Sequence, residues 1–148
     1  MENVFEKFTA SVIRLGKLIQ KIKVYEMREY GLKAVHVMCV YYLGESEDGL
    51  TASELVKLTY EDKAAISRAI DALEERGAVI ADAKTHGSVI RLTESGKRLA
   101  AAISQKTNLA VQACNAHFNE NEKEFFYGSL EKITENITKY YENLLNKD

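Results

Sequence analysis

The side chains best suited to a chemical role lie within residues 61–76. Three aliphatic residues recur there at helical spacing and mark one face of a predicted helix: Ile66, Ile70 and Leu73. Arg68 falls on the opposite face, where its guanidinium fork could hydrogen-bond to O6 and N7 of a guanine. An exposed ion pair with Asp71 or Asp62 is the alternative role for this arginine. The pattern favours a helix that docks by one face and offers the other to a DNA duplex.

The elements on either side of this helix must hold it in place. Thr51 and Glu54 predict a capping box at the start of a preceding short helix. Two strand-like runs, residues 79–81 and 88–92, predict a β-hairpin that leads into a helix capped by Thr93. This order of elements is that of a winged helix-turn-helix, which lays its second helix in the major groove of DNA.

Polar side chains near this face supply the remaining candidate contacts with DNA. Lys63 and Ser67 suit phosphate groups, which fix the register of a protein on DNA without carrying sequence information. Arg91 is a candidate contact from the hairpin, although it could instead decorate the exposed side of a strand. The predicted DNA-binding residues are Thr51, Ser53, Lys63, Ala64, Ala65, Ser67, Arg68, Lys84, His86 and Arg91.

Long apolar stripes flank the reading part, residues 33–98, in residues 1–32 and 99–148. The first stripe consists of Val4, Phe8, Val12, Leu15, Ile19 and Ile22, and the last of Phe126, Leu130, Ile133, Ile137, Tyr140 and Leu144. Part of each stripe packs on its own core, and we expect the remainder to pair with a second copy. We therefore predict one mainly α-helical domain over residues 1–148, with a small β-hairpin wing and terminal dimerisation helices.

The length, charge and apolar pattern of the chain limit the classes of protein to which it can belong. The chain of 148 residues can bury its own core, and a net charge of −2 neither indicates nor excludes nucleic-acid binding. No apolar run approaches the roughly 18 residues of a membrane span, and the amino terminus lacks a signal-peptide pattern. We therefore expect a cytoplasmic protein with no membrane partner.

Metal, redox and catalytic sites find little support. His36-x-x-Cys39 and Cys114-x-x-His117 each place two potential zinc ligands on one helix face, but ordinary packing of apolar helices is the favoured interpretation. A redox switch needs a thiolate near positive charge, which neither cysteine clearly has. The sequence shows no nucleophile with a paired base, no phosphate-cradling glycine loop and no poised pair of carboxylates. We expect no cofactor and no enzymatic activity.

Tyrosines cluster where the first helix joins the reading part. Aromatic walls with a few hydroxyls suit a small phenolic or apolar effector, although the same rings could equally be core residues whose hydroxyls reach solvent. The candidate effector pocket consists of Arg14, Tyr25, Tyr30, His36, Tyr41 and Tyr42.

Two motifs resemble those of the MarR family of bacterial and archaeal transcription regulators. Residues 62–77, DKAAISRAIDALEERG, are similar to the family's recognition helix, and residues 91–97, RLTESGK, are similar to its exit from the wing. The chain departs from the family pattern at Ala64, where serine is common. It departs again at the wing tip, residues 82–88, which is shorter and lacks an arginine for the minor groove.

The resemblance implies a homodimer that binds double-stranded DNA at a palindromic operator, most often as a repressor that a small ligand releases or retains. The alternative, kept open by the acidic residues of the same helix, is a winged-helix module that binds a protein partner. Steep salt dependence of binding would distinguish DNA from a protein partner.

Overall fold

The structure is a computed structural model that describes residues 3–82 and 87–146 of the chain. The described residues form these elements in chain order: α1 (Val4–Glu26), a 3₁₀ turn (Arg28–Tyr30), α2 (Ala34–Glu45), β1 (Leu50–Thr51), α3 (Ala52–Thr59), α4 (Lys63–Glu75), β2 (Val79–Ala81), β3 (Val89–Leu92), α5 (Glu94–Cys114) and α6 (Glu120–Leu145). The predicted fold class, mainly helical with a small β wing, is confirmed. Within the described ranges, every helix is too short or too polar to span a bilayer.

The chain divides into two compact units, residues 1–107 and residues 108–148. The hydrophobic core belongs to the first unit, where α2 packs against α3, α4 and β3. Leu55 of α3, Leu73 of α4 and Ile103 of α5 are fully buried there. Because burying such a side chain stabilises the fold by about 1.5–3 kcal/mol, these residues fix α3 and α4 against α2 and the sheet.

The sheet has three antiparallel strands in the order β1-β3-β2. Ile80 of β2 pairs with Arg91 of β3, and Leu50 of β1 pairs with Ile90 on the other edge of β3. The two predicted strands of the hairpin are therefore confirmed, while β1 was not predicted. A two-residue strand carries no periodicity, so its pairing depends on the distant β3 rather than on any local pattern.

The acids Glu61 and Asp62 suit the amino end of a helix, so the sequence predicts both in the first turn of α4, but the structure begins the helix at Lys63. Asp62 is the N-cap, and its Oδ1 accepts a hydrogen bond from the backbone N–H of Ala65 at 2.7 Å. Glu61 therefore lies outside the helix rather than in its first turn. Tyr60 precedes it in the left-handed region, with φ of 57°, and ends α3. The sequence predicts that Gly77 ends α4, and the structure confirms it: Gly77 follows the C-cap Arg76 with φ of 68°.

The end of α1 is also shorter than its apolar spacing predicts. That spacing predicts a helix to about Glu29, but α1 ends at Glu26 and the chain tightens into the 3₁₀ turn before Gly31, whose φ is 61°. The sequence pattern also predicts Leu55 and Leu58 on the inward side of α3; Leu55 is fully buried, but Leu58 is 39% exposed. Both differences arise at helix ends, where apolar spacing predicts the helical structure poorly.

The second unit contains the end of α5 and the whole of α6. The sequence predicts Asn119 as the cap of the last helix, and the structure confirms it; Asn119 also forms a capping box with Glu122. The hydroxyl of Tyr127 donates to Oδ1 of Asn115 at 2.7 Å, which ties α6 to the end of α5. The apolar stripe of α6 is exposed along its length: Phe126, Leu130, Ile133, Ile137, Tyr140 and Leu144.

Candidate nucleic-acid interface

The predicted division of α4 into a docking face and a bare face is confirmed. Ile66 and Leu73 of the predicted face are at most 1% exposed, as is Ala69, and they pack into the core of the first unit; the third predicted residue, Ile70, is only partly buried and packs against that core. The opposite face is solvent-exposed at Lys63, Ala64, Ser67, Arg68 and Asp71. Apolar burial therefore fixes the helix while its polar face remains available to a partner.

Arg68 forms no hydrogen bond or ion pair within the described part of the chain. Asp62, one of its two suggested ion-pair partners, is instead the N-cap of α4. The alternative role, an ion pair with Asp62 or Asp71, is thus not taken up. An exposed guanidinium with all its donors available can form two parallel hydrogen bonds to an acceptor pair such as a guanine edge.

A capping box fixes the start of α3. The Thr51 N–H and hydroxyl donate to Oε2 of Glu54 at 2.7 and 2.8 Å, and the Glu54 N–H donates to Oγ1 of Thr51 at 3.3 Å. The hydrogen bonds from Thr51 lower the pKa of the Glu54 carboxyl. The Thr51 hydroxyl proton is therefore engaged within the chain, whereas Ser53 in the first turn is exposed.

A cleft of about 600 Å³ lies between α3, α4 and the hairpin. It brings together three of the predicted DNA contacts, namely Ser53, Lys63 and Ser67, and adds Lys57 of α3. Hydroxyls and ammonium groups of this kind suit phosphate oxygens. The remaining lining residues are Ala52, Val56, Ile70, Asp71, Glu74, Ala81, Gly87, Ser88 and Ile90.

The hairpin supplies one described candidate contact, Arg91. Its guanidinium forms an ion pair with the carboxylate of Asp82, across the β2–β3 hairpin. Both side chains are about half exposed, so solvent screens the pair and it adds little stability. The pairing nevertheless offsets the charge that Arg91 would present to a phosphate. The other two predicted wing contacts, Lys84 and His86, lie outside the described residues.

The predicted effector residues occupy several separate environments. Tyr41 and Tyr42 form an edge-to-face pair with ring centroids 5.5 Å apart, and burial, followed by Tyr41 and Tyr60, raises the pKa of the Tyr42 hydroxyl. Tyr25 is 74% exposed and lines a different cavity from Tyr30. The structure therefore brings Tyr41 and Tyr42 together, but Tyr25 and Tyr30 do not share one cavity.

Two further members of that set lie apart from the tyrosine pair. Arg14 is exposed midway along α1. His36, near the start of α2, accepts a hydrogen bond at Nδ1 from the N–H of Lys33 at 3.3 Å. Partial burial, followed by Lys33 and Arg76, lowers the pKa of the His36 imidazole.

Both cysteines are free thiols with different surroundings. Cys39 is fully buried in α2, and burial, followed by the charge of Glu61, raises the pKa of its thiol to about 12. A neutral buried thiol is unreactive, which agrees with the packing interpretation. Cys114 is exposed at the end of α5. In residues 3–82 and 87–146, no group of three or more His, Cys, Asp or Glu side chains could hold a metal ion.

Two cations that the sequence did not single out tie the first unit together. Arg76, the C-cap of α4, donates from Nη1 to the carbonyl oxygen of Tyr30 at 2.7 Å. Lys106 of α5 binds the carboxylates of Glu26 and Glu29 at 2.8 and 2.9 Å. The Arg76–Tyr30 bond spans 46 residues of sequence and the Lys106–Glu26 bond spans 80, so local spacing does not predict them.

Comparison with known proteins agrees with this arrangement. A model of the MarR family matches residues 30–87, which include α2, α3, α4 and β2. No curated protein sequence is significantly similar to the chain.

Solved structures share the fold over most of the chain. A MarR protein from Peptoclostridium difficile superposes with a TM-score of 0.83 at 20% identity and covers 97% of this chain and 95% of its own. A putative MarR family transcriptional regulator from Listeria monocytogenes, complexed with 26mer DNA, has a TM-score of 0.79 at 22% identity, covering 93% and 90%. CouR from Rhodococcus jostii RHA1, bound to p-coumaroyl-CoA, has a TM-score of 0.77 at 18% identity, covering 90% and 95%.

At these identities the structures establish the fold, and the family model places residues 30–87 within it. Together they agree with the resemblance carried by the α4 motif: this chain has the winged helix-turn-helix fold of the MarR family transcriptional regulators.

Proposed function

We propose that the protein is a sequence-specific DNA-binding transcriptional repressor that acts as a homodimer on a palindromic operator and responds to a small ligand. The observation that carries this proposal is the bare face of α4. Arg68 is exposed there and has no partner among residues 3–82 and 87–146, while the opposite face is held by fully buried Ile66 and Leu73. The Listeria regulator with the same fold was solved in complex with DNA, which supports DNA as the partner.

In this proposal α4 enters the major groove, and its polar residues contact different parts of the DNA. Arg68 reads a guanine, and Lys63 and Ser67 bind phosphates from the edge of the cleft that they share with Ser53. The contact from Arg91 is weaker, because Asp82 already neutralises its charge. Affinity therefore depends mainly on α3 and α4 rather than on the hairpin.

The homodimer is supported by apolar surface that the single chain leaves uncovered. On α1, Val12, Leu15 and Ile22 are each close to half exposed, and the stripe on α6 is exposed in the same way. Apolar stripes of this length on two helices need a partner surface, and a second copy offers the same stripes in return. Two-fold symmetry would place the two reading helices about one helical turn, ~34 Å, apart.

The ligand response is supported by one relative with the same fold, CouR, which was solved with p-coumaroyl-CoA. In this chain the paired rings of Tyr41 and Tyr42 provide aromatic surface with hydroxyls, suited to a phenolic effector. Binding near α2 would act on DNA affinity by changing the separation of the two reading helices.

Selection of bound sequences from random double-stranded DNA, at a fixed salt concentration, tests the proposal. We expect a palindromic consensus whose half-sites lie about 10 bp apart, and a complex whose mass corresponds to two chains per duplex. Affinity for that site should fall steeply with salt, with a slope of about −0.9 for each phosphate contacted. Enrichment of no sequence, together with a flat salt dependence, would contradict DNA binding and favour the protein-interaction alternative.

A further inference from the structure

We propose that Arg76 and Lys106 are positioning residues for DNA binding: they bind the turn at residues 28–31, which we call the linking turn, and thereby fix the orientation of α4 relative to α1 and α5. The linking turn joins α1 to α2 and lies within residues 1–107, the compact unit that also contains α4. Neither cation lies on the bare face of α4, since Arg76 is the C-cap of that helix and Lys106 belongs to α5. The effect on DNA rests on the proposed function, whereas the orientation of α4 can be measured without DNA.

The end of α4 is bonded to the linking turn. Nη1 of Arg76 donates to the carbonyl oxygen of Tyr30 at 2.7 Å. The turn leaves room for the guanidinium at Gly31, whose φ is 61°: a Cβ there would lie 3.0 Å from Nη2 of Arg76. The backbone N–H of Arg76 donates to the carbonyl oxygen of Ala72 at 3.3 Å and closes the last turn of α4. One residue therefore connects the end of the reading helix to the linking turn.

Lys106 holds the end of α1 and the linking turn from α5, and an acceptor lies within reach of each of the three donors of its ammonium group. Nζ donates to the carbonyl oxygen of Glu26 at 3.0 Å and to Oε2 of Glu26 at 2.8 Å, and it lies 2.9 Å from Oε1 of Glu29. The ammonium is also 5.9 Å from the centre of the Tyr30 ring, within the range of a cation–π contact. The hydrogen bonds to Glu26, followed by those to Glu29, raise the pKa of Lys106, so the ammonium stays charged at neutral pH.

These polar bonds and the apolar core act differently on α4. Burial of Ile66 and Leu73 holds the helix on the core, but the hydrophobic effect has no preferred direction. A charge-assisted hydrogen bond has a preferred distance and angle. Exposed ion pairs contribute little to stability, and the side chains of Lys106, Glu26 and Glu29 are 26%, 41% and 61% exposed. The network therefore affects the orientation of α4 more than the stability of the fold.

A dimer is sensitive to this orientation, because both reading helices must fit the major groove of one duplex. Half-sites about 10 bp apart present their bases at a fixed separation and angle. A chain whose linking turn is no longer held should bind its best operator less tightly, because its reading helices adopt the matching orientation for a smaller fraction of the time. The same chain should tolerate other half-site spacings better.

The orientation of α4 is measured without DNA as the distance between two spin labels on one chain. The labels are attached at Ser67→Cys on α4 and at Ala101→Cys on α5, two exposed positions. The exposed Cys114 is changed to alanine, and the buried Cys39 is protected from labelling. An excess of unlabelled chain ensures that only distances within one chain are measured. We expect a single narrow distance distribution when the linking turn is intact.

Arg76→Met and Lys106→Met each remove one of the two links while keeping an unbranched side chain, and each should broaden or shift the distribution. Glu29→Gln is a milder change, since it weakens one acceptor of Lys106 on a side chain that is 61% exposed; it keeps the fold and should broaden the distribution less. Arg28→Ala is the matched control, because it removes from the same turn a cation that has no partner in the described part of the chain. It should leave the distribution unchanged. Unchanged distributions in both methionine variants overturn the proposal.

Operators with one base pair added or removed between the half-sites supply a second measurement, by fluorescence anisotropy. Lys106→Met should bind the selected operator about fivefold or more weakly than wild type, as expected for coupling between separate sites. It should lose less affinity than wild type when the spacing is altered. Loss by the same factor on every operator would show only a lost charge or lost stability, and would overturn the positioning role of Lys106.

The two measurements separate this inference from the proposed function. If the protein binds no DNA, the distance distributions still show whether the linking turn fixes the orientation of α4. If the protein binds its operator but the distributions of the methionine variants coincide with that of the parent chain, the proposed function stands and the positioning role of Arg76 and Lys106 is wrong.

Discussion

Replacing Arg68 by alanine isolates the chemistry assigned to α4. The side chain is exposed and has no intramolecular partner among the described residues, so its removal should change the free energy of unfolding by no more than about 0.5 kcal/mol. Loss of one bidentate base contact costs about 1–3 kcal/mol, and a dimer loses two such contacts, or about 2–6 kcal/mol. Since about 1.4 kcal/mol corresponds to a tenfold change, operator affinity should fall by roughly 30-fold or more.

Fluorescence anisotropy with the selected operator measures this loss, and operators substituted at each guanine test its origin. Wild type should lose affinity when the contacted guanine is changed, while Arg68→Ala should become indifferent to the base at that position. Arg28→Ala serves as the matched control, because it removes an exposed arginine from the 3₁₀ turn instead of from α4. Equal affinity and equal base preference in wild type and Arg68→Ala would refute the assignment of base reading to this side chain.

Three further substitutions test other parts of the account. Asp82→Asn should raise operator affinity by about two- to fivefold in the same anisotropy assay, since Arg91 loses the carboxylate that offsets its charge; lower affinity would contradict this. Gly96→Ala should destabilise the fold by about 3 kcal/mol in urea unfolding, because its Cβ would lie 1.9 Å from the carbonyl oxygen of Ala78. The free energy of unfolding of wild type should fall as pH is lowered from about 7 to 5, because His36 protonates near pH 6.5 in the unfolded state but has a lowered pKa in the folded state. His36→Gln should make this fall smaller. An unchanged dependence on pH would argue against this.

Gly128→Ala is the control for the glycine substitution. A Cβ at this helical position meets nothing within 4 Å outside its own helix, so unfolding should be unaffected or slightly favourable to the folded state. If both alanine variants unfold at the same urea concentration as wild type, the close approach of α5 to Ala78 is not a constraint on the fold.

Local signals in the sequence were sufficient to predict most of the fold. The buried face of α4 follows from the spacing of Ile66 and Leu73, and the capping box of α3 follows from Thr51 and Glu54, which lie three positions apart. These features depend on neighbours within one or two helical turns. The end of α1 and the short β1 could not be predicted in the same way, because they depend on a turn geometry and on pairing with β3.

The residues of the candidate site also separate into those that local spacing predicts and those that depend on contacts between elements. Arg68 could be assigned to the exposed face from its position relative to the aliphatic residues, and the structure places it there. The ion pair of Arg91 with Asp82 depends on cross-strand geometry, and the hydrogen bond from Arg76 to the carbonyl oxygen of Tyr30 joins residues 46 positions apart. Sequence spacing describes one element at a time, so sites formed between elements became visible only in the folded chain.

DNA cleavage by a reagent attached to α4 tests most directly the central claim that this helix lies in the major groove. An iron chelate attached at Ser67→Cys, in a chain whose exposed Cys114 is changed to alanine, generates hydroxyl radicals at the bare face of α4, while the buried Cys39 is protected from labelling. If α4 lies in the major groove of both half-sites, cleavage of the selected operator should concentrate in two patches about one helical turn apart. Binding of the labelled protein without localised cleavage would show that this face does not meet the duplex.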